Sequence, residues 1–211
     1  MKCFYKVAIF DFDDTLMATK VGRVAALTKA LSDFGYHVTE DGIDSNWGKP
    51  FDQLISSLAP NIDYKSFYKH YSKIMLGFPP VVQPGVIEVL QFLKANIIPI
   101  YVVSSGSRDL VIQDLERGDI AKFINKLWCF EDTEYHKPDP RTLKPIIGTL
   151  ETNGILPRDA VYIGDSLSDY HVARENDINF IAVLSGMHKY EDFRGAGLRD
   201  ENILVSLQEL L

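Results

Sequence analysis

Two aspartates, Asp11 and Asp13, stand two positions apart just after the short apolar run Val7-Ala8-Ile9-Phe10 in this 211-residue chain. If that run is a strand, the alternation of side chains points both carboxylates the same way. Like charges held together resist joint ionisation unless a cation or a shared proton intervenes. A second acidic group closes another apolar run, in Ile163-Gly164-Asp165-Ser166-Leu167-Ser168-Asp169. Gly164 suits a tight turn, Asp165 falls at a strand tip, and Asp169 falls in the first turn of the following helix, facing back. Carboxylate oxygens gathered at one edge suit a hard divalent cation. Mg²⁺ in particular keeps some of its waters and bridges to phosphate.

Groups that answer a negative charge stand after two further apolar runs. Ser104-Ser105-Gly106-Ser107 is a small hydroxyl-bearing turn ahead of a helical pattern, with hydroxyls and N–H groups that can cradle an anion. His136-Lys137-Pro138-Asp139-Pro140 places Lys137 before a proline-started helix, and lysine serves phosphate as a compact point charge. Each feature alone has an ordinary explanation: an Asp-x-Asp as a turn or cap, a serine-rich turn as a helix N-cap, a lone lysine as a solvated surface group. The argument for chemistry is that all of them close apolar runs, in an order that a sheet can bring to one edge.

Those runs lie at residues 7–10, 97–103, 127–130, 161–163 and 180–184. Short, continuous and rich in β-branched residues, they suit strands buried on both faces, as in a parallel sheet. Helical patterns over 84–95, 108–116, 138–150 and 168–176 alternate with them. The expected fold is α/β, a Rossmann-like doubly wound parallel sheet with right-handed connections, whose ligands bind at the carboxyl edge of the strands. Residues 17–82 break this alternation. They carry helical patterns through Val24, Leu27, Leu31 and Phe34, through Phe51, Leu54, Ile55 and Leu58, and through Tyr64, Phe67, Tyr71 and Met75, ended by Gly77 and Pro79-Pro80. This reads as a helical module inserted after the first strand, dividing the chain into a core of residues 1–16 and 83–211 and a cap of residues 17–82. The aromatic stripe of the module reads as helix-packing core.

The net charge of −7, from 22 Lys and Arg against 29 Asp and Glu, argues against a nucleic-acid scaffold. Hydrophobic residues make up 46% of the chain, enough for a core, yet no apolar run approaches the roughly 20 residues that span a bilayer. Cys3 and Cys129 lie far apart and make neither a disulfide framework nor a metal cluster. The N-terminal segment lacks a small-residue cleavage site. The expectation is a cytoplasmic protein, monomer or homodimer, with no membrane or nucleic-acid partner.

Asp11-x-Asp13-x-Thr15, Ser104, Lys137 and Gly164-Asp165-x-x-x-Asp169 together resemble the four signature motifs of the haloacid dehalogenase superfamily, in order and spacing, over residues 7–169. The helical module resembles the C1 cap of that superfamily. Residues 136–140 strengthen a similarity to its phosphoglycolate phosphatase and β-phosphoglucomutase-like members. The resemblance implies that Asp11 is a nucleophile forming an aspartyl-phosphate, and that Asp13 is the general acid and then the base. It implies Mg²⁺ held by the Asp11 carboxylate, the Asp13 backbone carbonyl and Asp165, with Asp169 supporting from behind or through water. Ser104, with Ser105 beside it, and Lys137 are implied to bind phosphoryl oxygens. Thr15 is implied to hydrogen-bond within the substrate-binding loop. Asp14 and Ser105 depart from the common pattern, which has glycine and asparagine at those places. Haloacid dehalogenases themselves lack an Asp-x-Asp acid/base pair and need no Mg²⁺, so Asp13 points to phosphate esters.

In capped relatives, cap residues that close over the site set specificity. Asn46-Trp47-Gly48-Lys49-Pro50 resembles that specificity loop, with Lys49 to meet an anionic leaving group and Trp47 to exclude water. A plain turn with Pro50 at the first helical position is the other reading. Lys20 and Arg23 are further candidates. The expected function is Mg²⁺-dependent hydrolysis of a small phosphorylated metabolite, with phosphoglycolate as a candidate substrate. The alternatives are a phosphomutase of the β-phosphoglucomutase type and a non-catalytic phosphate-binding regulator; the intact Asp11, Asp13, Lys137 and Asp165 speak against the latter.

Overall fold

Residues 5–47, 49, 51–78 and 81–211 are described in the computed structural model. Cys3, Gly48, Pro50, Pro79 and Pro80, singled out above, lie outside the described residues. The chain divides into two units, Met1–Ala18 with Val81–Leu211, and Thr19–Pro80. The first begins with β1 (Val7–Asp11), buried along its length, and the two-residue β2 (Met17–Ala18). The second unit holds α1 (Lys20–Asp33), α2 (Glu40–Asp44), α3 (Phe51–Leu58) and α4 (Tyr64–Met75). Back in the first unit, β3 (Val81–Val82) pairs antiparallel with β2. There follow α5 (Val86–Ala95), β4 (Ile100–Val103), α6 (Arg108–Arg117), β5 (Lys126–Trp128) and α7 (Lys144–Thr152). The chain ends through β6 (Ala160–Gly164), α8 (Leu167–Arg174), β7 (Asn179–Val183), α9 (Tyr190–Gly195) and β8 (Ile203–Leu204).

Six strands form one parallel sheet in the order β5-β4-β1-β6-β7-β8, the doubly wound architecture expected from the alternating pattern. Alternate residues of β1 serve opposite faces. Ala8 and Phe10 pack with Val89, Leu90, Val111 and Leu115 of α5 and α6. Val7 and Ile9 pack with Ile146, Leu150, Val172 and Ala173 of α7 and α8. A strand covered on both faces has no polar side, which is why its sequence runs continuously apolar. Asp11 lies opposite Val103 of β4, and Phe10 opposite Ile163 of β6. The three strands therefore end level, and the residues that follow each one emerge at a single edge.

The structure trims three sequence expectations. Ile97, at φ 57° and well exposed, closes the turn after α5, where the Ile98 N–H donates to the Leu93 carbonyl (3.0 Å), so β4 begins only at Ile100. Cys129 leaves β5 for a 3-10 turn over Phe130–Asp132, and Asp132 accepts its N–H at 2.7 Å. Asp139 caps a 3-10 turn, Pro140–Leu143, by accepting the Arg141 N–H (2.9 Å), and α7 follows it rather than starting at the proline. The short α2, α9 and β8 carry too few residues for periodicity to reveal them.

Within the second unit, Leu27 and Leu31 of α1, Ile43 of α2, Leu54 and Ile55 of α3, and Phe67, Tyr71 and Met75 of α4 share one core. The aromatic stripe of α4 is packing: Phe67 meets Phe34 edge-on at 5.6 Å, and Phe51 lies 4.9 Å from Tyr71. Pairs of this kind add about 1 kcal/mol beyond their buried area. No helix among the described residues is long and apolar enough to cross a membrane.

Candidate active site

Asp11 ends β1 and Asp165 follows the adjacent β6, so sheet register alone brings them together. Asp169, in the first turn of α8, completes a group in which one carboxylate oxygen from each residue lies within 4.8 Å of the others. Lys137 enters this group. Its Nζ donates to Asp11 Oδ1 at 2.5 Å, to Asp169 Oδ1 at 2.7 Å and to the Tyr162 hydroxyl at 3.2 Å. Three carboxylates against one ammonium leave a formal excess of two negative charges, all on residues at most 8% exposed. A divalent cation cancels that excess, and an all-oxygen donor set suits a hard ion. The residues present fit such an ion.

Burial decides how these groups titrate. It pushes the Asp11 carboxyl up to about 8 against the pull of Lys137, with Asp169 and Asp13 adding to the rise. Burial, then Asp11 and Asp169, hold Asp165 well above the carboxylate range. For Lys137, burial works against its charge, but Asp11 and Asp169 outweigh it and hold the ammonium well above its usual value. The lysine stays charged, and the pressure to neutralise falls on the carboxylates.

The acids differ in how far the protein satisfies them. Asp169 Oδ1 accepts from Lys137 and from the Tyr162 hydroxyl (2.9 Å), and Oδ2 accepts from the Ser166 N–H (3.2 Å) and hydroxyl (2.5 Å). Ser166 caps α8 in return by accepting the Asp169 N–H at 3.1 Å. Among the described residues, Asp165 accepts from the buried Thr15 hydroxyl alone, at 3.4 Å, so its oxygens keep acceptor capacity for another partner. Asp169 approaches Gly164 so closely that a Cβ there would lie 2.7 Å from the Asp169 Cβ. Gly164 thus serves close packing inside β6 rather than the turn expected of it.

Asp13 also needs a different account. Because β1 ends at Asp11, strand alternation does not extend to Asp13, which instead bridges to Met17 in the turn toward β2. The next residue, Asp14, adopts φ 57°, a left-handed conformation that glycine takes freely and aspartate tolerates. Its carbonyl accepts from Gln83 Nε2 (3.1 Å) and Ser185 Oγ (2.6 Å), which pins the turn.

Ser104, buried, follows β4 at the same edge; its Oγ accepts the Gly106 N–H (2.9 Å), leaving its own O–H to donate. The half-buried Ser105 follows it. At the start of α6, the oxygens of Glu131 accept the Arg108 N–H at 3.2 and 3.0 Å. Lys49 belongs to the second unit, where it is exposed and donates to Asn46 Oδ1 (2.6 Å). There, too, Lys20 pairs with Asp44 (2.9 Å) and stands 5.9 Å from the Trp47 ring.

Sequence reasoning passes over Tyr162, Ser185 and Gly186, while Ser166 is legible as the cap of the Gly-Asp-Ser turn that it forms ahead of α8. A Cβ on Gly186 would lie 1.7 Å from Asp165 Oδ2, so only glycine lets the loop after β7 reach that carboxylate. A signal existed: Ser185-Gly186 closes the apolar run at 180–184 just as the recognised motifs close theirs. Tyr162 gave none, since an aromatic inside an apolar run reads as core.

The sequence profile of haloacid dehalogenase-like hydrolases matches residues 8–183. A phosphoglycolate phosphatase from Agrobacterium fabrum is 28% identical over 192 residues, spanning 85% of this chain and 81% of its own length. A phosphorylated carbohydrates phosphatase from Thermotoga maritima is 26% identical, spanning 98% of this chain and its own full length (100%). Among solved structures, a haloacid dehalogenase-like hydrolase from Bacteroides fragilis superposes with a TM-score of 0.83 at 29% identity, over 98% of this chain and 100% of that one.

Proposed function

Because the chain belongs to the haloacid dehalogenase-like hydrolase family, we propose that it is a Mg²⁺-dependent phosphatase that cleaves phosphate monoesters of small metabolites through an aspartyl-phosphate on Asp11. The observation that carries this reading is the Lys137 ammonium 2.5 Å from Asp11, inside a buried cluster with negative charge to spare. Phosphoryl transfer asks mainly for positioning and charge neutralisation, and such a cluster offers both.

Mg²⁺ is assigned to the Asp11 and Asp165 carboxylates and the Asp13 backbone carbonyl, with the saturated Asp169 supporting from behind. When bound, the ion supplies positive charge that keeps these acids ionised and offsets the phosphoryl oxygens. An Asp11 carboxylate oxygen attacks phosphorus, the bond from phosphorus to the ester oxygen breaks, and Asp13 gives its proton to the departing alcohol. Asp13, now a carboxylate, takes a proton from the water that attacks the aspartyl-phosphate, which releases inorganic phosphate and restores Asp11. Lys137 and Ser104 hold phosphoryl oxygens, with Ser105 beside them, and Thr15 acts through Asp165. Substrate choice is assigned to the helical unit, with Lys49 as the cationic group for an anionic leaving group.

The names of the relatives make phosphoglycolate and phosphorylated carbohydrates the first compounds to try. A panel of phosphorylated metabolites, with and without Mg²⁺, should release phosphate from at least one compound only when the ion is present. Release from none, p-nitrophenyl phosphate included, would overturn the phosphatase reading. Interconversion of sugar phosphates with little free phosphate would instead establish a phosphomutase.

A further inference from the structure

Tyr162 lies in the middle of β6, wholly buried, and touches two charged members of the site. Its ring packs 5.9 Å from Phe180, a contact that phenylalanine would make equally well. The hydroxyl does something else. Its O–H donates to Asp169 Oδ1 (2.9 Å), and its oxygen accepts from Lys137 Nζ (3.2 Å). An ammonium has three N–H groups. Those of Lys137 go to Asp11, Asp169 and Tyr162, so every donor is taken before a phosphoryl oxygen arrives. Binding such an oxygen therefore requires one partner to yield. Hydrogen bonds to ionised acceptors are shorter and roughly twice as strong as those to neutral ones. The contacts to Asp11 and Asp169, at 2.5 and 2.7 Å, are the short ones and hold, and the neutral phenol, at the longest of the three distances, 3.2 Å, releases.

We propose that Tyr162 is a positioning residue that holds the third N–H of Lys137 in the resting site and exchanges it for a phosphoryl oxygen, a role that rests on the phosphatase reading above. After the exchange the phenol keeps its bond to Asp169, so the carboxylate stays oriented while Lys137 turns one N–H to the incoming group. The same hydroxyl thus competes with the phosphoryl group for Lys137 and fixes the frame that aligns it.

Tyr162→Phe keeps the ring and removes the hydroxyl. Two quantities are read: binding of inorganic phosphate by calorimetry in the presence of Mg²⁺, which needs no turnover, and kcat on p-nitrophenyl phosphate. With the competitor gone, the variant should bind phosphate about threefold tighter or more, while kcat falls about tenfold, the size expected for a hydrogen bond to charged partners. A fall in kcat with phosphate binding unchanged is general loosening and overturns the proposal, whereas loosening does not tighten ligand binding. Weaker phosphate binding in the variant overturns the proposal, as does binding and kcat both within about twofold of wild type. If wild type binds phosphate but cleaves no monoester, the phosphatase reading fails and the calorimetric comparison still decides the exchange. Should the variant not fold, wild type labelled with ¹³Cζ-tyrosine gives a second measurement. Saturating phosphate must shift the Tyr162 resonance as its oxygen loses the Lys137 N–H, and an unmoved resonance overturns the exchange.

Discussion

A cluster of lysine and aspartate stands in each unit, and the two share their chemistry while differing in burial. In the helical unit, Asp33 meets Lys29 at 3.1 Å and His70 at 2.8 Å, with all three side chains at least 35% exposed. In the sheet unit, Lys137 meets Asp11 at 2.5 Å and Asp169 at 2.7 Å, with no side chain more than 8% exposed. Water and salt answer any imbalance in the first set, so such contacts contribute little. The second set lies beyond their reach, and each charge there must be answered by the protein or by a ligand. Distance alone does not mark the functional cluster. What marks it is a charge imbalance that solvent cannot relieve: the exposed aspartate meets a lysine and a histidine in water, whereas the buried lysine meets Asp11 and Asp169, with a third carboxylate, Asp165, clustered with those two.

The largest effect should come from Asp11→Asn. It removes the proposed nucleophile, so turnover should fall by about 10³-fold or more, with circular dichroism and melting showing the fold intact. Activity near wild type would refute the assignment. Lys137→Met tests the comparison through stability. It leaves three buried carboxylates with no cation paired to them among the described residues, and urea unfolding of the metal-free protein should show a loss of about 3 to 5 kcal/mol. Mg²⁺ should recover part of it, because a ligand bound only by the folded state stabilises it. Lys29→Met is the control and should leave the urea midpoint where it was. Equal losses in the two variants would erase the distinction between the clusters.

Gly186→Ala addresses the metal side more gently. The added methyl collides with Asp165 Oδ2, so either the carboxylate or the loop after β7 moves. Displaced outer supports of a metal site typically cost about 10- to 100-fold in affinity. The Mg²⁺ concentration giving half-maximal activity should rise by about tenfold or more, with a smaller stability loss than in Lys137→Met. An unchanged Mg²⁺ requirement would mean that Asp165 does not hold the ion.

The same contrast explains what the amino-acid sequence disclosed. The continuous apolar runs announced a two-face-buried parallel sheet, and the polar residues closing them announced Asp11, Ser104 and Asp165, because strand ends are where a buried sheet meets solvent. Lys137 was legible only through its motif. It lies nine residues beyond the end of β5 on a loop whose course no periodicity records. Tyr162 and Gly186 escaped for opposite reasons. One hides a polar hydroxyl on an aromatic body that belongs in the core, and the other acts through an atom it lacks. The register Asp11 to Val103 shows why the site assembles, yet register is a property of paired strands and is absent from any one of them.

The smallest effect belongs to the exposed cluster, and pH is the way to find it. The His70 hydrogen bond first, and then Lys29, hold the Asp33 carboxyl below its ordinary value of 3.8. A carboxylate with a lower pKa folded than unfolded adds stability that is complete above the unfolded value and lost as pH falls through the folded one. Whatever Asp33 contributes is therefore constant near neutrality and fades only below about pH 4. Asp33→Asn should leave the melting temperature at pH 7 nearly unchanged in moderate salt, and should flatten the melting curve's pH slope only in that acid window. Salt should shrink the difference further, since the group stands in water. If instead Asp33→Asn lowers the melting temperature at pH 7 as far as Lys137→Met does, an exposed carboxylate matches the buried lysine, and burial is not what separates the two clusters.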